Sequence, residues 1–497
     1  MCTIDPAQGA ATIYVDKLLA ADCVETYAAR ERTCGRGSDT AYRTLNAGLQ
    51  AAQPGDTVLI RAGMFREHLV PPRSGTATAR ITIRSSPGEV VILTGFPDAP
   101  TLMLKSRSHL VIEGLTVSDA LGWGRIEDSA NNVLRNNRFA AASAHGTTGG
   151  LKFVRSSQNR IEGNTISDGH DNLVLQDSNH NLVLNNSFSE ARHSLLSLRC
   201  SSYNVVRGNT FSNLRQKAAE IYDCEAVSDA PFKLDASKRN LVEGNAFVLT
   251  RGSSADYRYN GIQYAGQQGI VRHNVFYDNR GGGLSFQVYA SEALHNYGHR
   301  IYNNTFFNNR CSGLNASAGR GAERYVDNLV RNNVFYKNVD CAGAVGQVSI
   351  GNPGAVILRD NAILESAPGF MNEAERDLRP APGSTLVDSG SHVARTMGAG
   401  EGSRLPVSDV LYFYDGFGIA GEVGDLIQLE GGGRTARVVS IDYAAKVLVL
   451  DAALSWKDRQ GVHLAYSGAR PDLGAFELGG GAGPRARPTP DSATHSR

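Results

Sequence analysis

Short alternations of apolar and polar residues recur along this chain, each closed by the same ending. The unit is clearest in Asn132-Val-Leu-Arg-Asn-Asn137-Arg-Phe139 and returns at 159–166, 181–188, 204–211 and 240–247. Looser copies follow at 269–276, 299–306, 328–335 and 356–363. The third position is aliphatic every time, from Leu134 to Leu358, and the eighth is Phe or Ile from Phe139 to Ile363. The fourth is usually charged: Arg135, Glu162, Arg207, Glu243, Arg272, Arg331 and Arg359. Side chains on a strand alternate between faces, so the third position is expected inside and the fourth in solvent.

The sixth position is Asn in all nine copies, from Asn137 to Asn361, and an earlier copy at 109–116 keeps the strand with Leu115 in that place. Subtracting successive Asn numbers gives spacings of 27, 22, 23, 36, 29, 30, 29 and 28 residues. A turn of that length, with no helical periodicity between copies, predicts a parallel β-helix, in which rungs stack and equivalent side chains form columns. A propeller blade needs about 40 residues and four antiparallel strands. Composition agrees with many tight corners, since 54 of 497 residues are Gly and only 5 are Met and 2 Trp.

With this repeat the chain resembles the right-handed parallel β-helix proteins of the pectate-lyase-like superfamily, over most of residues 12–395. The resemblance implies an all-β solenoid of about ten rungs, and the hand comes from it rather than from the repeat. Ahead of the coil, Thr12-Ile-Tyr-Val-Asp begins a strand, Gly37 to Leu45 leads into an amphipathic helix, and Gln53 to Glu67 completes what looks like an N-terminal cap. A cap covers the sheet edge and apolar core of the first rung. The expected divisions are a cap over 1–68, the coil over 69–395, a small antiparallel β unit with a closing strand at Pro471–Glu477 over 396–478, and a disordered tail over 479–497. The β unit is read from alternation in 424–430, 436–442 and 446–451.

Fifty basic residues against 49 acidic ones leave a formal charge of +1, so nothing draws the whole chain to nucleic acid, membrane or acidic polymer. No apolar run is long enough to span a bilayer, and residues 1–15 show no basic stretch followed by an apolar one. Secretion therefore implies a leader upstream of this sequence, with Cys2 at a lipoprotein-type start. Seven cysteines suit rivets rather than a scaffold. Cys23 and Cys34 bracket a polar loop, Cys311 and Cys341 occupy equivalent places in consecutive rungs, and Cys200 and Cys224 are nearly equivalent. Such bridges predict an oxidising compartment, extracellular, periplasmic or at the cell surface.

Candidate chemistry gathers on the second run of strands, Gly150 to Val154 and its counterparts at 172, 195, 220, 261, 283 and 313. Extra residues after three of them, at 225–238, 290–298 and 317–327, are expected to wall a groove suited to an extended polymer. Beside it lie Lys152, Arg155, His170, Gln176, His193, Arg199, Lys217, Glu220, Tyr222, Asp223 and Gln263. β-Elimination from a uronic acid needs a cation on the sugar carboxylate, a base for the C5 proton and an acid for the leaving oxygen. The segment Leu196-Ser-Leu-Arg199-Cys-Ser-Ser-Tyr-Asn204 resembles the Arg rung of chondroitinase B and related alginate lyases, which implies that Arg199 neutralises the carboxylate. Those lyases carry a Lys one rung earlier, where this chain has Gln176 and Asp177. The base is then expected among His193, Lys217 and Tyr222, with Lys152, Arg155, His170, Gln176 and Gln263 binding substrate. The same resemblance implies Ca2+ at Glu220 and Asp223. Two other classes are open to this scaffold: glycoside hydrolysis by Glu220, Asp223 or Glu225, and glycan binding without catalysis, as in an adhesin.

Overall fold

The computed structural model describes residues 10–96, 98–142, 149–212, 216–222, 237–248, 260–286, 296–316, 325–351, 354 and 356–479, with the side chain of Tyr222 outside that set. Three long sheets run along the coil. The first has 16 strands including those of the cap, the second 12, and the third 10, giving ten complete three-strand rungs. Pairing between rungs is parallel and without slippage: Leu134 faces Ile161, Ile161 faces Val183, and Val183 faces Val206. These third-position residues are fully buried, as are the eighth-position rings from Phe188 to Phe335, whose centroids stack 4.7–4.9 Å apart. That spacing is the strand spacing itself, so one aromatic per rung produces a continuous column.

The nine motif asparagines form one unbroken ladder. Each Nδ2 donates to the Oδ1 of the next, from Asn137 to Asn164 at 3.1 Å through to Asn333 and Asn361 at 3.0 Å. Each also satisfies backbone groups that the corner strips from the sheet; Asn274, for one, donates to Val242 O and Arg272 O at 2.9 Å. The tight corner is the preceding residue. All nine fifth-position residues are left-handed, three of them Gly (Gly163, Gly208, Gly244); at Gly163 and Gly208 a Cβ would also press on the Asn136 and Asn185 side chains of the rung before. Gly and Asn are therefore abundant for two separate reasons, the turn and the ladder.

At the N-terminus, strands Thr12–Val15 and Asp39–Tyr42 extend the first sheet, and helix Leu45–Ala51 covers the end of the core. Thr44 caps the helix, and Glu67 accepts from the Leu45 and Asn46 amides at 3.1 Å. Coil strands begin at Thr57–Ile60 and Gly63–Phe65, ahead of residue 69, and end at Ala362–Leu364. Two disulfides join Cys23 to Cys34 and Cys311 to Cys341, the second tying consecutive rungs. Cys200 is buried, and Cys224 lies outside the described residues.

Beyond the last rung the chain turns back over the coil. A hairpin, Phe370–Asn372 with Asp377–Pro380, precedes a six-stranded antiparallel sheet built from 394–395, 400–406, 426–429, 435–442, 447–456 and 461–464. This sheet packs on the outer face of the first coil sheet, where Leu182, Val205, Leu241 and Ile270 join Leu405, Ile427 and Val438 in a second core. The hairpin, Leu386 beyond it and residues 471–475 cover the outer face of the second sheet, with Leu378, Leu473 and Ala475 joining Leu386 there.

Two expectations are corrected by this arrangement. Fourth-position charges in the covered rungs are not in solvent: Arg272 is 1% exposed, with both terminal nitrogens on Asp425 at 2.6 and 2.7 Å and Nε on Glu243 at 2.7 Å. Arg207 bridges Glu243 and Glu422. Burial alone would raise the Glu243 carboxyl, but the Arg272 and Arg207 charges bring it down to about 2. Residues Pro471–Glu477 form no closing strand; left-handed Gly474 breaks the extended run, and the backbone there bonds to Leu386 O and Asn332 O instead.

Candidate functional site

The third sheet keeps its outward face clear of the second and third cores that the C-terminal residues build. Its strands Asp171–Gln176, Ser194–Arg199, Lys217–Tyr222 and Ile262–Tyr264 set three columns. Asp171, Ser194 and Lys217 are in register; so are Val174, Ser197, Glu220 and Gln263; so are Gln176, Arg199 and Tyr222. Strict alternation puts residues three apart on opposite faces. Here two successive residues, Leu195 with Leu196 and Ala218 with Ala219, are both in the core, so each strand bends at its start. The bend brings Ser194 beside Ser197, with Oγ atoms 2.8 Å apart, and the Lys217 ammonium onto the Glu220 carboxylate.

Asp171 is the hub. It is 4% exposed and accepts from Ser194 Oγ at 2.6 Å, His193 Nδ1 at 2.8 Å and Arg199 Nη2 at 2.9 Å, with His170 Nδ1 at 3.6 Å. Burial by itself would raise the Asp171 carboxyl, but the neighbouring imidazoles of His170 and His193 and the charges of His193 and Arg199 hold it well below the usual carboxylate range. The Asp171 carboxylate in turn raises His170 above the ordinary imidazole value against the opposing effect of burial. Glu220, fully buried, accepts from Ser197 Oγ at 3.3 Å and lies 3.7 Å from His193 Nε2. Lys217 also donates to Gln263 Oε1 at 2.7 Å. His170 and His193, from consecutive rungs, stack with centroids 5.6 Å apart and are the most exposed members of the group.

Of the residues expected from sequence, His170, His193, Arg199, Lys217, Glu220 and Gln263 thus meet in one network. Gln176 adjoins Arg199 in its column and is buried. Lys152 shares the Val174 column, one rung away. Arg155 sits apart on a turn, paired with Asp128 at 2.7 Å. Tyr222 ends its strand opposite Arg199. Asp223, Glu225 and most of the three expected insertions lie outside the described residues. Asp171, Ser194 and Ser197 were not anticipated. Asp171 stands two residues before Leu173 as Ser194 does before Leu196 and Lys217 before Ala219, and that shared offset in three consecutive rungs is the signal that could have found it.

Among the described residues, the group His170, Asp171 and His193 offers three ligand-type atoms within 4.8 Å of one another. Of the two residues expected to hold calcium, Glu220 is engaged by the Lys217 ammonium and the Ser197 hydroxyl, and Asp223 lies outside the described residues. No helix among the described residues is long and apolar enough to cross a membrane.

A family model described as right handed beta helix region matches residues 100–233, which gives the hand of the coil. Comparison with curated protein sequences yields no match. Among solved structures, the chain is similar to an alginate lyase of family PL6, AlyGC, at 19% identity over 66% of this chain and 52% of that one, with TM-score 0.42. It is similar to the pectate lyase Pel9A at 12% identity over 94% and 97% of the two chains, TM-score 0.43, and to a rhamnogalacturonan lyase at 15% over 75% and 94%, TM-score 0.45. The chain spans about half the length of that alginate lyase. Its own strand pairing and the matching family model make this protein a right-handed parallel β-helix carrying a polar cluster on its third sheet.

Proposed function

We propose that this protein is a carbohydrate-active enzyme of an oxidising, extracytoplasmic compartment that cleaves an acidic polysaccharide by β-elimination on the outward face of the third sheet. The observation that carries this reading is the buried Asp171 carboxylate, which holds an imidazole and a guanidinium side by side on one face. An imidazole anchored through Nδ1 presents Nε2 as a base in a fixed orientation.

Arg199 meets the uronate carboxylate and stabilises the charge that grows there. The C5–H bond breaks with its proton passing to His193 Nε2, and its electrons form the C4–C5 double bond. The C4–O bond breaks as that double bond forms, and the leaving oxygen takes a proton from the Lys217 ammonium, which Glu220 and Gln263 hold in place. The stacked His170, together with Lys152 and Gln176, extends the polar surface along the coil axis, the direction an extended polymer would follow. Tyr222 is the alternative proton carrier, and no step is routed through calcium.

Incubation with alginate, pectate, chondroitin or dermatan, with and without calcium, tests the reading when unsaturated-uronate absorbance and reducing ends are followed in parallel. Elimination gives both signals together. Reducing ends alone would move the assignment to hydrolysis, and retained binding with neither signal would make the coil an adhesin. Elimination that survives Arg199→Ala would leave the class standing and overturn the site.

A further inference from the structure

We propose that His170, Asp171 and His193 form a binding site for one zinc-class divalent transition metal ion. Two imidazoles from equivalent positions of consecutive rungs and one buried carboxylate converge, with ligand-type atoms within 4.8 Å of one another. The nitrogens nearest Asp171 are Nδ1 of both rings, at 2.8 and 3.6 Å. At the longer distance His170 Nδ1 is buried without a hydrogen-bond partner, a cost that a coordinated cation removes. The support is rigid: the His193 amide donates to His170 O at 2.9 Å, so the rung ladder sets the separation of the two rings.

Donor chemistry selects the metal. Two nitrogens and one oxygen suit zinc and its first-row neighbours, whereas calcium and magnesium require oxygen cages. Three protein ligands leave a position open, as in sites where a metal meets water or substrate. Ser194 and Arg199 hold the Asp171 carboxylate from outside, the arrangement that orients metal ligands in general. Around the group, Asp171 and Glu220 offset Arg199 and Lys217 in formal charge, so a dication adds a positive charge that the carboxylate of an acidic sugar can meet.

Binding of the metal does not depend on the elimination reading, but one corollary does. A metal ion on His193 Nδ1 displaces the proton that this nitrogen shares with Asp171, so the metal-loaded and base-competent forms are alternatives, and excess zinc slows elimination.

The test is calorimetric titration of the chelator-stripped full chain with Zn2+ alone, with Ca2+ in a parallel arm and Co2+ as a spectroscopic stand-in. Expected are one Zn2+ per chain, visible Co2+ bands that zinc abolishes, and at least about tenfold weaker binding in both His170→Gln and His193→Gln. Circular dichroism and thermal midpoints of the two variants, matching the parent, separate lost ligation from lost fold; if His193→Gln misfolds, the half-buried His170→Gln and the Co2+ bands still decide. No saturable Zn2+ binding, binding unchanged in the folded variants, or displacement of zinc by equimolar Ca2+ would each overturn the proposal. Zinc binding without any elimination activity would leave the metal site standing and sink the elimination reading.

Discussion

The outer faces of the first and third sheets are built by the same rung repeat, yet they have opposite fates. On the first, the returning C-terminal residues bury Arg272 with Asp425 and tie half-buried Arg207 and Glu243 to Glu422, beside the aliphatic side chains of Val205 and Leu241. On the third, comparable charges surround Asp171 with half-buried imidazoles at the edge. Charge on an outward rung position is thus a structural joint where the described C-terminal residues cover it and a candidate site where they do not.

The sharpest break of this comparison is a pair of arginine substitutions. Arg272→Ala strands Asp425 and leaves Glu243 with Arg207 alone, and urea unfolding should show a loss of about 3–5 kcal/mol, with activity per folded molecule retained. Arg199→Ala should do the reverse: Asp171 keeps Ser194 and His193, so stability changes far less, while elimination falls by about 100-fold or more. Equal effects on stability and activity in both variants would erase the distinction between the two faces.

A smaller effect is expected inside the coil, under both faces. Asn274→Ala removes two ladder links, to Asn245 and Asn304, together with its bonds to Val242 O and Arg272 O, and should cost about 2–3 kcal/mol in the same unfolding measurement. A neutral result would mean that the ladder is decoration on a fold held by the Phe column alone.

Acid should act on the covered side first. On the covered side burial pushes His273 down to about 4 and His463 down to about 3, and inside the coil it pushes His299, packed on Tyr264 and Phe286, down to about 3, with like charge from neighbouring arginines or histidines adding to it. These groups stay neutral when folded and gain protons when unfolded, so stability is full above about pH 6.5 and falls progressively as the pH drops toward 4 and 3. Denaturation midpoints followed from pH 7 to pH 3.5 check this, and His463→Gln should flatten the slope.

The smallest effect is at the returning segment itself. Burial, with Asp472 and Asp388 adding like charge, raises Glu477 to about 7 against the amide hydrogen bonds it accepts. A carboxyl raised by folding favours the folded state at low pH and loses that advantage as pH climbs from about 4.5 through 7. Glu477→Gln should therefore raise the thermal midpoint by a few degrees at pH 8 and leave it nearly unchanged at pH 4.5.

What the sequence determined by itself is the coil. Strand alternation, a fixed Asn and a fixed aromatic are local and periodic, and parallel stacking turns any such period into columns, so the inward Leu134-to-Leu358 set, the Asn137-to-Asn361 ladder and the Cys311–Cys341 rivet were legible residue by residue. Arg199, His193, Lys217 and Glu220 were legible as polar positions along one sheet for the same reason. Only the tertiary structure decided which outward charges stay outward, because Asp425, which takes both terminal nitrogens of Arg272, lies 153 residues downstream in a unit whose docking no rung period encodes. It also decided that Asp171 is the centre of the cluster. Alternation assigns residues 171 and 174 to opposite faces, and the bend at the head of each strand, set by two successive core residues, turns them to the same one.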